Sequence, residues 1–237
     1  MSLVLTPLTT PADVRRLVNA RLHAEHLGND TLSMHAVAVA KAGRAVLLVG
    51  DHGAGKSLTG LKMITSMGWH PIAGDTTLVR LGTTGRIDVV GGTRAFVMRR
   101  SAVAHWFPAL ALPIGGGERI DLAESMPIHV EGAPLLCGIV MVTVDRSNCD
   151  SPPLRCGQQV TVNALYRASG YLITKVLDDV AAEPLSLVEA PELARHRLRL
   201  VRRLASAVRC WWLRGTPGEM AEAIDGMTVE GNQRWAN

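Results

Sequence analysis

Short apolar runs alternate with amphipathic segments along the chain, and glycine, proline and polar turns separate them. Residues 45–49 and 134–144 are almost entirely apolar, which is typical of strands buried on both faces. Thr10 and Pro11 predict the start of a helix, whose apolar residues recur at helical spacing until Gly28 ends it. The alternation of strands and helices predicts an α/β layered domain, with a central mixed β-sheet flanked by helices.

The same patterns predict most of the remaining elements. Further strands are predicted at 34–40, 70–74, 76–81, 86–92, 95–100 and 208–213, and further helices at 57–68, 160–177, 192–207 and 217–227. Residues 102–117 lose periodicity and contain two prolines and a triple glycine, which indicates a mobile loop, and 145–159 predict a surface loop. We expect an N-terminal helical segment at 1–30 and one domain at 31–237.

The composition narrows the class of protein. The chain has 237 residues, of which 47% are hydrophobic and 19% charged, as in ordinary globular domains. Aromatic residues make up only 4%, which argues against a stacking platform for nucleic acid. No signal peptide or membrane span is evident, and the four cysteines lack zinc spacing. We therefore expect a cytoplasmic protein with reduced thiols and no nucleic-acid or membrane partner.

One stretch carries most of the chemical information. The sequence VGDHGAGKSLTG at 49–60 contains the spacing G-x-x-x-x-G-K-S, directly after an apolar strand and before a predicted helix. In such a phosphate-binding loop the backbone amides surround phosphates, Lys56 reaches the β- and γ-phosphates, and the Ser57 hydroxyl holds Mg²⁺. A glycine-rich turn that matches by chance is the alternative. The predicted ATP-binding residues are Gly50, Asp51, His52, Gly53, Ala54, Gly55, Lys56, Ser57 and Leu58.

The region around this loop resembles the HPr kinase/phosphorylase family. In that family a histidine opens a strand about fifteen residues before the loop, as His35 does before Gly50. A second strand then ends in two aspartates, of which Asp75 matches the second, whereas Gly74 replaces the first. The resemblance is firm over residues 32–81 and looser beyond them, in the manner of small HPr-kinase-like proteins of natural-product pathways. It implies an HPr-kinase-like fold, an ATP- and Mg²⁺-dependent kinase and a homo-oligomer.

The departures from the family concern the acceptor. The first aspartate is regarded as the family's catalytic base, and Gly74 cannot act as one. Leu58 lies where the family usually has glutamate, and the Leu-Glu-Ile-Arg-Gly signature is absent. Only about thirty residues precede His35, so the family's long N-terminal domain has no counterpart in this sequence. Protein HPr is therefore not the expected substrate.

Three residues are predicted to be catalytic, namely Lys56, Asp75 and His35. Asp75 could coordinate Mg²⁺ together with Ser57 or accept the acceptor's proton, although an aspartate after a strand can also simply cap a turn. His35 could orient Asp75 or be the base itself, since histidine titrates near neutral pH. A histidine at a strand start is ordinarily structural, so the roles remain open.

Arginines supply the remaining candidates for phosphate or acceptor contacts. Arg94, Arg99 and Arg100 follow a glycine turn, and Arg119 follows the triple glycine, where cations suit a γ-phosphate or an anionic acceptor. Each could equally be an ordinary surface arginine. The basic run at 195–203 predicts the solvated face of a helix, and RNA binding is its alternative. Trp211 and Trp212 should point to opposite faces of a strand.

The sequence therefore predicts a kinase that phosphorylates a hydroxyl of a small metabolite, such as a nucleoside, a sugar or a natural-product intermediate. The hydroxyl of a peptide is the alternative acceptor, because small relatives of this type phosphorylate peptides. A nucleotide-binding regulatory protein or an ATPase without an acceptor is the alternative from another class, and Gly74 is the residue that favours it.

Overall fold

A computed structural model describes residues 11–112, 117–126, 132–145, 152–173 and 189–229. The helices are α1 (Pro11–Gly28), α2 (Lys56–Met67), α3 (Arg100–Trp106), α4 (Gln158–Ser169), α5 (Pro191–Ala207) and α6 (Pro217–Val229). The strands are β1 (Thr31–His35), β2 (Val37–Lys41), β3 (Arg44–Val49), β4 (His70–Ala73), β5 (Thr76–Leu81), β6 (Ile87–Gly92), β7 (Val97–Arg99), β8 (Arg119–Asp121), β9 (Leu135–Val144), β10 (Leu154–Arg155) and β11 (Cys210–Gly215).

The central sheet is mixed, as predicted. Its strands follow the order β1-β5-β6-β9-β3-β2-β4, and β11 extends it by pairing with β9 and with β10. The strands β3, β9 and β11 are parallel to one another, whereas the other pairings are antiparallel. Strands β7 and β8 form a separate antiparallel pair. Strand β3 lies in this parallel part of the sheet and leads directly into the glycine-rich loop, so the sheet positions the loop.

Two apolar cores cover the two faces of the sheet. Residues of β3 alternate between them: Leu47 packs with α1, α4 and α5, whereas Leu48 packs with α2, α3 and α6. Both leucines are fully buried. This alternation explains why residues 45–49 read as a continuous apolar run, since a strand covered by helices on both faces needs apolar side chains on both.

Most of the predicted elements are confirmed, and four predictions about where elements begin, end or occur are wrong. The predicted strand at 34–40 is two strands, because Ala36 turns its N–H to the carbonyl of Asp75, 3.0 Å away, and the chain changes pairing partner there. The predicted loop at 102–117 begins with α3, and 145–159 contains β10. Helix α4 ends at Ser169 rather than at residue 177, and positions 174–177 lie outside the described residues.

The basic face of α5 is also not entirely solvated, contrary to the prediction. Arg197 is 4% exposed and donates from Nε and Nη2 to the Glu189 carboxylate, over 2.7 and 2.9 Å. His23 of α1 donates from Nε2 to the same carboxylate at 3.1 Å, and the Arg197 guanidinium lies over the Tyr166 ring. These contacts join α1, α4 and α5. A helical pattern alone does not distinguish a paired buried arginine from a solvated one.

Trp211 and Trp212 lie on opposite faces of β11, as predicted, and Trp212 is 43% exposed. The apolar residues that recur at helical spacing in α1 include Leu17, Val18 and Leu22, and these three side chains are exposed. Among the described residues, we find no helix with the length and apolar character needed to cross a membrane.

Candidate functional site

The glycine-rich loop lies between the end of β3 and the start of α2. Gly53 and Gly55 adopt φ values of +80° and +96°, which residues with a Cβ rarely reach. A Cβ at Gly55 would overlap the Val144 side chain, and Ala54 accepts a hydrogen bond from the Val144 N–H at 2.8 Å. The loop is therefore held against the end of β9, and only glycine fits at its last turn before α2.

Lys56 is the most unusual group of the loop. It is only 6% exposed, and its Nζ donates to the carbonyl oxygens of Gly50 and Asp51 at 2.9 and 3.1 Å. Its third partner is His35 Nε2, at 2.9 Å. Burial lowers the pKa of Lys56 from 10.5 to about 8, although the carboxylates of Asp75 and Asp51 oppose this. The loop thus holds a cation that lacks a strong counter-charge.

His35, the last residue of β1, lies between Lys56 and Asp75. A lysine ammonium can only donate, so Nε2 accepts from Lys56 and the ring proton is assigned to Nδ1. This Nδ1 is buried and has no hydrogen-bond partner among the described residues, and it lies 3.4 Å from Asp75 Oδ1, which is longer than a good hydrogen bond. The histidine is therefore oriented by two charged neighbours, a lysine on one nitrogen and a carboxylate near the other.

Gly74 has a structural reason to be glycine. Its N–H donates to the Thr93 carbonyl at 3.1 Å, and a Cβ here would overlap the carbonyl oxygen of Ala95 and the Phe96 ring. No carboxylate can therefore occupy this position in the observed packing. Asp75 follows it with its side chain 43% exposed, so one carboxylate is presented at the end of β4.

These residues line a cavity of about 400 Å³. Its lining comes from the loop and α2, from His35, Gly74 and Asp75, and from residues of β7, α3 and β8. Among the predicted site residues, those at the cavity are His35, His52, Gly53, Gly55, Lys56, Ser57, Leu58, Asp75, Arg99 and Arg119. A cavity of similar volume, about 420 Å³, is lined by Leu81, Gly85, Ile87 and the end of α5 and contains no predicted site residue.

The four predicted arginines separate into two groups. Arg99 and Arg119 line the cavity. Arg94 is exposed in the connection before β7, and Arg100 begins α3, where its N–H donates to the Glu118 carbonyl at 2.7 Å. Neither Arg94 nor Arg100 is among the residues that line the cavity.

The first half of the loop is exposed and carries two polar side chains. The ring of His52 is stacked with that of His35 at a centroid distance of 6.5 Å. Partial burial lowers the pKa of His52, and its neighbours His35, Lys56, Arg119 and Arg99 lower it further. Asp51 pairs with Arg167 of α4 at 3.1 Å, so its carboxylate points away from the cavity wall that Lys56 forms.

Sequence reasoning missed two contacts, one from Arg167 in α4 and one from Tyr171, which follows α4. The Tyr171 ring lies on the His35 ring at a centroid distance of 3.8 Å and lines the cavity, and Arg167 pairs with Asp51. Both residues are distant in sequence from the loop, so no local pattern could have predicted them. Asp145 carries a readable signal, an apolar strand that ends in aspartate. However, its carboxylate accepts from Arg214 at 2.6 and 2.9 Å, and it does not line the cavity.

Comparison of the chain with protein-family models and with curated protein sequences gives no match. The site is therefore interpreted from its own chemistry. It combines a glycine-rich loop at a helix N-terminus, a buried lysine, a histidine near a carboxylate and two arginines that also line the cavity. Such an arrangement suits a phosphorylated ligand, because backbone amides, the helix dipole and cations all favour negative charge.

Proposed function

We propose that the protein is an ATP- and Mg²⁺-dependent kinase that transfers the γ-phosphate to a hydroxyl group of a small metabolite. The observation that carries this proposal is the buried Lys56, whose three hydrogen bonds aim its ammonium at the loop's own carbonyls and at His35. A phosphate chain along the loop would give this ammonium the counter-charge that it lacks in the free protein. The resemblance of residues 32–81 to the HPr kinase/phosphorylase family supports the same activity.

The residues fit a nucleotide and its metal ion. Gly53 has a positive φ, and no heavy atom would lie within 4 Å of a Cβ at this position, so a ligand has room to approach its backbone. The Ser57 hydroxyl and the Asp75 carboxylate would hold Mg²⁺, which prefers oxygen ligands and usually takes only one or two from the protein. When bound, Mg²⁺ would neutralise negative charge on the phosphate oxygens.

The role of His35 follows from its two nitrogens. Once Lys56 donates to phosphates, Nε2 of His35 loses its donor and is left as an acceptor at the cavity. The proton on Nδ1 then faces Asp75, which would stabilise the imidazolium after proton transfer. We therefore assign His35 as the base for the acceptor hydroxyl and Asp75 as the group that orients it and contributes to metal binding. Tyr171 restricts the ring from its face.

A second candidate function is an ATPase or regulatory nucleotide-binding protein without an acceptor. The close packing of Gly74 against Ala95 favours it, because the position of the family's presumed base is filled by backbone. Phosphoryl transfer depends more on positioning and charge than on a strong base, however, and His35 offers a base from another strand. We therefore place the kinase first, with a peptide hydroxyl as the alternative acceptor.

The test is ADP formation from Mg·ATP with and without pooled hydroxylated metabolites, for the wild-type protein and for Lys56→Ala. If the protein is a kinase, ADP forms only when the metabolite pool is present. Lys56→Ala should form no ADP, although its far-UV circular dichroism spectrum is unchanged. ADP formation that is equal without the pool would favour the ATPase. Wild-type activity in a folded Lys56→Ala protein would refute both.

A further inference from the structure

Two arginines that line the cavity come from the β7–β8 strand pair and not from the loop. Arg99 of β7 and Arg119 of β8 are register partners in the antiparallel pair, and both are exposed. Like charges directly opposite in a sheet destabilise it, so this pairing has a cost in the ligand-free protein. Residues Met98 and Ile120, next to them on the same strands, are buried and fix the register. The two guanidiniums are thus held side by side.

Within the described part of the chain, no carboxylate pairs with either arginine. The acidic residue on the same strand pair, Asp121, accepts instead from the backbone N–H groups of Phe96 and Ala123, at 2.8 and 3.0 Å. The charged residues that line the cavity are Lys56, Arg99, Arg119 and Asp75, which gives three cations and one carboxylate. The wall that carries the arginines therefore has an excess of positive charge.

The loop wall already has what nucleotide phosphates need, namely Lys56, the loop amides and the α2 N-terminus. The arginine pair comes from β7 and β8 instead, and two neighbouring guanidiniums offer planar forks that match a phosphate or carboxylate. We propose that Arg99 and Arg119 form a second anion site, which binds an anionic group of the acceptor. The acceptor is then a hydroxylated phosphate or carboxylate compound rather than a neutral sugar or nucleoside.

The identification of the bound anion as the acceptor rests on the proposed function, whereas the anion site itself can be tested separately. The full-length protein is saturated with Mg·AMP-PNP and titrated by calorimetry with glycerol 3-phosphate. Glycerol is the uncharged match, and glycerate separates a carboxylate from a phosphate. We expect at least one of the two anions to bind and glycerol not to bind detectably. Because both arginines are exposed, the affinity should fall as salt rises.

The variants are Arg99→Gln and Arg119→Gln, and Arg94→Gln is the matched control, since Arg94 is exposed and does not line the cavity. Removing a charge-assisted partner should weaken binding of the anion by roughly tenfold or more. The control should stay within about twofold of wild type, and so should the affinity of all variants for AMP-PNP.

Three results would overturn the anion site: no binding of either anion, equal binding by the arginine variants, or a parallel loss of AMP-PNP affinity. The last would assign the arginines to the nucleotide. If AMP-PNP itself fails to bind, the proposed function is refuted, and the anions are then titrated into ligand-free Lys56→Met protein. The double variant Lys56→Met/Arg119→Gln is compared with Lys56→Met. Weaker binding of the anions by the double variant supports the anion site, and unchanged binding refutes it.

Discussion

Binding of a nucleotide is expected to draw a proton from solvent onto Lys56. In the free protein, burial holds the pKa of Lys56 at about 8 instead of 10.5. A shift of that size corresponds to roughly 3 kcal/mol of free energy that disfavours the charged form. Phosphates beside the ammonium would restore its ordinary pKa or raise it further. Proton uptake should therefore be about one-tenth per site at pH 7, about half at pH 8 and about nine-tenths at pH 9.

The assay is calorimetric titration with Mg·AMP-PNP in buffers of different ionisation enthalpy at each pH. The pKa of His52 is lowered from 6.5 in the free protein, and Lys56→Arg retains this histidine, so the difference in proton uptake between wild type and Lys56→Arg reports on Lys56 alone. Lys56→Arg keeps a charge at every pH and should bind without proton uptake. Lys62→Arg, on the same helix, should behave as wild type. Absence of uptake at pH 8 and 9 in a protein that binds AMP-PNP would refute the reasoning.

The same shift predicts how stability depends on pH. Because the folded pKa of Lys56 lies below its unfolded value, the charged form destabilises the free protein below about pH 8, and this cost disappears as pH rises towards 10.5. Wild type should gain about 2–3 kcal/mol relative to Lys56→Met between pH 7 and pH 10, measured by urea unfolding. The comparison cancels the other groups that titrate in this range. A constant difference between the two proteins would contradict the assigned pKa.

The remaining predictions concern residues that line the cavity and the buried ion pair. Asp75→Asn should lose most of the rate and recover partly with Mn²⁺ or high Mg²⁺, and His35→Ala should lose about 10²–10⁴-fold in kcat; near-normal rates in both would place the acceptor elsewhere. Gly74→Asp should not supply a base and should lower the unfolding free energy by about 1–3 kcal/mol or more. Gly226→Asp is the control and should not lower it in this way, because a Cβ at Gly226 has open space around it. An active, stable Gly74→Asp protein would contradict the packing argument. Glu189→Gln should cost about 3–5 kcal/mol of stability, because its buried arginine partner would remain charged, and a loss below 1 kcal/mol in thermal unfolding would be inconsistent with this.

The central part of the fold could be predicted because its signals are local. The apolar run at 45–49, the glycine loop and the helix that ends at Gly68 all lie in one short stretch, and the structure has them in that order. The break at Ala36 could not be predicted, because it depends on a hydrogen bond to Asp75, which lies in the connection between β4 and β5. Helix α3 was missed because its neighbours contain proline and glycine, which favour a loop in any local reading.

The candidate site divides in the same way. Loop spacing and the resemblance together identified Lys56, His35 and Asp75, and the structure brings these three together. The sequence could not separate the arginines at the cavity from those beside it, since that depends on the register of β7 with β8. Tyr171 could not be predicted for a related reason, because it follows α4, and the packing of α4 against β1 brings it to His35.

The most direct test of the kinase is the destination of the γ-phosphate. The protein is incubated with Mg²⁺ and γ-labelled ATP in the presence of a pool of nucleosides, sugars, glycerol 3-phosphate and hydroxy acids, and the labelled products are separated. The account predicts label in an organic phosphate ester, with little inorganic phosphate, and no labelled ester from Lys56→Ala. Label found only in inorganic phosphate, or the same labelled ester from Lys56→Ala as from wild type, would contradict it.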